Sequence, residues 1–238
     1  MTLTFLNKIG TVLLLSLILL ATEAHAINQL PGHLIPFDSQ DSLKFLKRDL
    51  NSNTLNLLGH FTTQQTVTYC GIASTVMILN AQHLVAPVDA RYVPYHYFTQ
   101  DNFFTEQVSQ ITPAEEVRDH GIALSKLDQM IQTFGLKTKL FYANDVTIET
   151  FRTKLQHAIL KNKFIIVNFS RTALQETGGG HYSPIGTYDK ASDRVLLLDV
   201  SRYKYPAYWV KTIDLWQAIH TQDSNGVYRG FIIITQKV

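Results

Sequence analysis

One cysteine in 238 residues leaves no partner for an intramolecular disulfide. Lysine and arginine never gather into a block and the formal charge is only +2, so the basic footprint of a nucleic-acid binder is missing. There is no His-Glu-x-x-His, no Cys-x-x-Cys and no ligand pair at helical spacing with a third partner, so no tightly bound metal cofactor is expected. Internal repeats, low-complexity tracts and Pro/Gly/Ser-rich linkers are also lacking, which leaves a single domain as the simplest organisation.

The chain opens with Lys8, an apolar run from Val12 to Ala21 broken only by Ser16, and Ala24-His25-Ala26 as a small-x-small site. This pattern predicts a secretory signal peptide over residues 1–26, cleaved after Ala26, because the run falls short of the roughly 20 residues that span a bilayer. The mature chain, 27–238, is then expected to be periplasmic or secreted and free of the membrane. A lone thiol is a liability in an oxidising compartment, so Cys70 is either buried and inert or present for its chemistry.

Helical signals fill the first two-thirds. Cys70 to Asn80 places Ile72, Val76 and Leu79 on one face, and Thr112-Pro113-Ala114-Glu115 reads as a capping box stopped by Gly121. Ser125 to Phe134, capped by Ser125 and ended by Gly135, and Thr147 to Lys161, amphipathic through Phe151, Leu155, Ala158 and Ile159, are two further helices. Strand signals follow at Phe164 to Phe169, His181 to Tyr188, Val195 to Val200, Tyr208 to Val210 and Phe231 to Thr235, interrupted by one short helix from Asp214 to His220. The expected class is α+β: a helical half, an antiparallel sheet half, and a site in the cleft between them.

Cys70 stands at the start of a helix, where unpaired N–H groups and the positive dipole end favour a thiolate. Gln64 lies close enough upstream to turn its amide toward the sulfur and, with the Cys70 backbone N–H, donate to an oxyanion. Among the nine histidines, His181 is set apart: it follows Gly178-Gly179-Gly180 and opens a strand that pairs through a turn at Asp189 to Asp193 with Val195 to Val200. A three-residue loop, Lys190 to Ser192, would put Asp199 on the same face as His181; a one-residue slip would put it on the other. Asp199 ends an apolar run, a costly place for a carboxylate without a partner, and the His181 imidazole supplies one. The bland readings are a packed cysteine and a structural His–Asp contact. The three glycines let substrate backbone approach closely; as a phosphate loop they fail, since they precede a strand and no Lys-Ser/Thr follows.

Three segments, Thr63-Gln-Gln-Thr-Val-Thr-Tyr-Cys-Gly-Ile-Ala-Ser74, Gly179-Gly-His-Tyr-Ser-Pro184 and Leu198-Asp-Val-Ser-Arg-Tyr-Lys-Tyr-Pro206, closely resemble the phytochelatin synthase family, particularly its short bacterial form. The resemblance runs from about Leu55 to the C-terminus and implies a papain-like fold acting on glutathione, γ-Glu-Cys-Gly. It implies that Cys70 attacks the Cys–Gly carbonyl and holds a γ-Glu-Cys thioester, with His181 as base then acid, Asp199 as its orienter and Gln64 as oxyanion donor. It further implies that Cd²⁺ or Zn²⁺ acts as an activator arriving as a glutathione thiolate complex. The γ-glutamyl grip falls at Asp223 and Arg229, with Gly180 beside it and Arg171 as a second candidate for a substrate carboxylate. A homodimer is compatible with this reading. No cysteine-rich C-terminal region like that of the plant enzymes follows, so hydrolysis to γ-Glu-Cys is expected to rival chain elongation. The alternatives are a double-glycine-cleaving cysteine peptidase and a non-catalytic binding module on the same fold.

Overall fold

The computed structural model describes residues 28–235, so the expected signal peptide and its cleavage at Ala26 lie outside the described residues. After a short strand β1 (Ile35–Pro36), the chain builds helices α1 (Gln40–Asp49), α2 (Ser52–Gly59), α3 (Cys70–Ala81), α4 (Glu106–Ile111), α5 (Ala114–His120) and α6 (Leu124–Thr133). The second half holds β2 (Lys137–Tyr142), α7 (Ile148–Leu160), β3 (Phe164–Ser170), β4 (Gly180–Asp189), β5 (Arg194–Leu197), β6 (Tyr208–Lys211), α8 (Thr212–Ile219) and β7 (Gly230–Thr235). All strand pairs are antiparallel, in the order β1-β6-β5-β4-β3-β7-β2. The class is therefore α+β with an antiparallel sheet.

The sheet is covered on both faces, which explains why its strands read as continuous apolar runs. Leu196, Leu198, Trp209, Ile232 and Ile234 join the helical core with Ile72, Met77 and Leu79. Their neighbours one position away, Val195, Leu197, Tyr208, Val210, Phe231 and Ile233, point to the other face and pack with Phe151, Leu155 and Leu215. Period-two alternation thus sorts residues between two cores rather than between core and water.

Every residue of α3 is buried, so the single apolar face expected of it is an underestimate. The helix packs against β4. Ile72, Met77, Ile78 and Leu79 are fully excluded from solvent, each such burial stabilising the fold by about 1.5–3 kcal/mol. The hydroxyls of Ser74 and Thr75 are satisfied inside the helix, donating to the Cys70 and Gly71 carbonyls at 2.7 and 2.9 Å.

Some local expectations need correction. Thr112 does not N-cap α5: it closes α4 instead, its hydroxyl donates to the Ile111 carbonyl at 2.7 Å, and α5 starts after Pro113 without a side-chain cap. Ser125 lies inside α6, which also begins uncapped after Ala123. Thr147 does cap α7, accepting from the Thr150 N–H at 3.3 Å. Gly121 and Gly135 end their helices with φ of +76° and +78°, where a side chain would be strained.

The β4–β5 hairpin departs from the expected loop and then recovers it. Asp189 pairs with Arg194 across a four-residue turn, Lys190 to Asp193, one residue longer than expected. The slip persists to Thr187↔Leu196 and is cancelled by an irregularity at Gly186, beyond which Ile185 pairs with Leu197 and the Leu198 N–H donates to the Pro184 carbonyl at 3.0 Å. His181 and Asp199 come out on one face because the longer turn and the bulge offset each other.

Candidate active site

The N-terminus of α3 delivers Cys70 to the foot of the cleft, and strand β4 delivers His181. Tyr69 precedes the helix without a side-chain cap, so the first backbone N–H groups remain available there. His181 Nε2 meets Asp199 Oδ1 at 2.9 Å, which leaves Nδ1 as the nitrogen for the thiol. Phe169 packs edge-on against the imidazole, centroid to centroid 5.6 Å. Asp199 is fully buried; its Oδ1 also accepts from the Ser201 N–H at 2.8 Å.

The electrostatics favour an ion pair. Burial pushes the Cys70 thiol up, but it is outweighed by the His181 charge and hydrogen bond, the Tyr182 backbone N–H and the Arg171 cation, so the thiol lies below its ordinary value. Burial alone would discharge His181; the Asp199 carboxylate and the Cys70 thiolate outweigh it and lift the imidazole to about 9. Burial likewise disfavours the Asp199 carboxylate, and His181, Arg171 and the Ser201 N–H overcome it to hold the group low. The shifts favour thiolate, imidazolium and carboxylate, an arrangement suited to nucleophilic attack followed by proton delivery to a leaving amine.

Gln64 is buried and committed on all sides. Its side-chain amide donates to the Thr66 carbonyl at 2.7 Å and to the Tyr203 hydroxyl at 3.1 Å, while its Oε1 accepts from Ser201 at 2.7 Å. Its backbone N–H donates to the Val200 carbonyl, so Gln64 is laced to the segment that carries Asp199.

A cleft of about 570 Å3 opens over Cys70. One wall carries Asn168, Gly180, Tyr182, Asp223 and Arg229; the other, from the helical half, carries Glu116, His120 and Lys126. Asp223 accepts from the Asn225 and Val227 N–H groups and so shapes its own turn. Arg229 donates to Asn168 Oδ1 at 3.0 Å, its Nε has no partner among the described residues, and burial pushes the guanidinium below its ordinary value. Gly180 is needed for Arg229 itself: a Cβ at 180 would collide with the guanidinium. A hollow of about 680 Å3 along β2 is larger but carries none of this machinery.

Arg171 requires a correction. It does not line the cleft; it is 3% exposed, behind Cys70, His181 and Asp199, and its guanidinium is bound by Asp199 and Glu176. Asn168, which also donates to the His181 carbonyl at 3.2 Å, escaped the sequence reading, as did Ser201 and Glu176, because nothing in their spacing marks them. Among the described residues no group of three or more His, Cys, Asp or Glu side chains could hold a metal ion, and no helix is long and apolar enough to cross a membrane.

Comparison with known proteins gives the site a context. A family model described as Phytochelatin synthase matches residues 26–231. The chain is similar to glutathione gamma-glutamylcysteinyltransferase 3 of Lotus japonicus, 32% identical over 208 residues, covering 85% of this chain and 42% of that protein. It is similar to glutathione gamma-glutamylcysteinyltransferase 2 of Arabidopsis thaliana, 33% identical over 208 residues, with 85% and 45% covered. To the glutathione gamma-glutamylcysteinyltransferase of Schizosaccharomyces pombe it is 27% identical over 212 residues, with 87% and 50% covered. The chain thus spans half or less of the length of these relatives.

Proposed function

Since this chain belongs to the phytochelatin synthase family, we propose that it is a cysteine-nucleophile γ-glutamylcysteine transferase that acts on glutathione. The observation that carries the reading is His181 held between Asp199 and the Cys70 sulfur that lines the cleft. The Cys70 thiolate attacks the carbonyl carbon of the Cys–Gly bond. The His181 imidazolium passes its proton to the departing glycine nitrogen, leaving a γ-Glu-Cys thioester and a neutral imidazole. That imidazole then takes a proton from the acceptor, either the α-amino group of a second glutathione or water, and the thioester collapses to (γ-Glu-Cys)₂-Gly or to γ-Glu-Cys.

In this reading the Cys70 backbone N–H and the Gln64 amide stabilise the oxyanion, which asks Gln64 to exchange its bond to Tyr203 for one to the substrate. Asp223 suits the substrate α-amino group and Arg229, with its partnerless Nε, the α-carboxylate. Cd²⁺ or Zn²⁺ enters with the substrate, as a thiolate complex of glutathione. A helical half carrying the cysteine against a sheet half carrying the histidine and aspartate fits a papain-like fold. The N-terminal pattern supports export with cleavage after Ala26.

The test is product analysis. Purified protein incubated with glutathione, with and without Cd²⁺, should release glycine and form γ-Glu-Cys and (γ-Glu-Cys)₂-Gly by mass spectrometry. Inertness toward glutathione combined with cleavage of a Gly-Gly leader peptide would replace this reading with a peptidase.

A further inference from the structure

Arg171 occupies a place that substrate binding does not explain. Its Nη2 lies 2.9 Å from Asp199 Oδ1 and 2.7 Å from Oδ2, and its Nη1 donates to Glu176 Oε2 at 2.7 Å. All three side chains are buried, and the guanidinium carbon lies 5.2 Å from the centre of the Tyr205 ring. The backbone of the same residue is tied to the loop that leads to His181: its N–H donates to the Gly179 carbonyl at 2.9 Å, and its carbonyl accepts from Glu176. Arg171 therefore joins the two segments that carry His181 and Asp199.

We propose that Arg171 is a positioning residue for the Cys70–His181–Asp199 triad, bridging Asp199 and Glu176 so that Asp199 stays ionised with its Oδ1 turned to His181. This rests on the reading of those three residues as a triad. Asp199 Oδ1 receives donors from His181, Arg171 and Ser201, and three fixed directions define the plane of the carboxylate and through it the imidazole. A buried carboxylate without a cation takes up a proton, and a neutral Asp199 would release the ring. The charge of Arg171 also acts through space, lowering both the Cys70 thiol and the His181 imidazole. It thereby favours the thiolate while making the imidazolium readier to give its proton to an amine. The other titratable groups facing this cluster are the Glu176 carboxyl, raised by burial and by Asp199, the Tyr182 and Tyr208 phenols, both raised by burial, and the Arg229 guanidinium, lowered by burial. Lysine would keep the charge and lose the fork that spans two carboxylates.

The experiment compares Arg171→Gln and Arg171→Lys in the full chain, using two readouts. The first is the pH profile of Cys70 alkylation by iodoacetamide with no substrate present. The second is kcat and KM for glycine release from glutathione. The expected result is an alkylation midpoint moved upward in Arg171→Gln, and in both variants a kcat lowered about tenfold to a hundredfold by misplacement of the base. KM should stay within about twofold. An unmoved alkylation profile with a raised KM would make Arg171 a substrate ligand and overturn the proposal, as would two unmoved readouts. If Arg171→Gln fails to fold by circular dichroism, Arg171→Lys decides through the kcat and KM split, with Glu176→Gln as a companion expected to lower kcat less and leave KM alone. If the wild type does not turn over glutathione, the substrate reading fails by itself and the alkylation profile still judges Arg171.

Discussion

His181 turns Nε2, not Nδ1, to Asp199 Oδ1 at 2.9 Å, and that choice aims the remaining nitrogen at the single thiol of the chain. The hydrogen bond fixes both the ring orientation and the tautomer. Cys70→Ser and His181→Ala are expected to abolish glycine release, and loss of the base alone should cost about 100- to 10,000-fold. Asp199→Asn should cost less, since that residue touches the ring and not the substrate. Steady-state rates with circular dichroism on the same samples check this; Cys70→Ser as active as the wild type would remove the nucleophile assignment.

The proton accounting of the pair predicts an unusual stability profile. Between the ordinary imidazole value near 6.5 and the ordinary thiol value near 8.5 the unfolded chain carries its proton on the Cys70 sulfur, and wherever the folded pair is thiolate and imidazolium that proton sits on His181, so folding moves a proton without binding or releasing any. The wild-type pair should therefore add no slope to stability in that window. In Cys70→Ser only the imidazole titrates there. With Asp199 holding its folded value above 6.5, its contribution is complete below 6.5 and is lost as pH rises toward the folded value, at up to about 1.4 kcal/mol per pH unit, and a folded value left low by burial would remove this slope. Urea unfolding of both proteins across this range gives the answer, and parallel curves would refute it.

Gly180→Ala isolates the role of Arg229. The added methyl would push the guanidinium off its seat against the backbone and weaken its bond to Asn168. KM for glutathione should rise about ten- to a hundredfold, the worth of a charge-assisted hydrogen bond, while alkylation of Cys70 is unchanged. A fall in the alkylation rate of similar size would mean that the methyl disturbs His181 instead.

Gln64→Ala should lower kcat by roughly 100- to 1000-fold with KM little changed, if its amide reaches the oxyanion. Tyr203→Phe removes the competing acceptor of that amide and should leave kcat equal or higher. A Tyr203→Phe enzyme with greatly reduced kcat would show that the phenol itself serves the reaction.

Much of the site was legible because its chemistry is local. A cysteine at a helix start, a histidine at a strand start and an aspartate closing an apolar run each carry a signal within a few residues. The His181–Asp199 face relationship was legible only through compensation, since no propensity announces both a four-residue turn ending in Asp193 at φ +48° and an irregularity at Gly186. Strand β2 was missed because Lys137-Thr-Lys139 is polar at an outer edge of the sheet, where pairing with β7 decides the conformation. Helices α1 and α2 were missed although Ser39 and Asn51 cap them through side-chain bonds, and the apolar pattern behind those caps is short. Arg171 reads in the sequence as a ligand for a substrate carboxylate because a free guanidinium beside a strand end suits one; only the folded chain brings Glu176 and Asp199 to it.

The complete burial of α3 divides the site into parts of unequal endurance. Cys70 rides on a helix whose amides open only when the central core opens, whereas Asp223 and Arg229 flank a turn in which Ser224, Asn225, Gly226 and Val227 are exposed. As denaturant rises, the proposed grip on the γ-glutamyl group should therefore fray first. Small electrophiles would go on reacting with a sulfur still seated in its ion pair, so the protein would lose its discrimination between acyl donors before it lost its nucleophile.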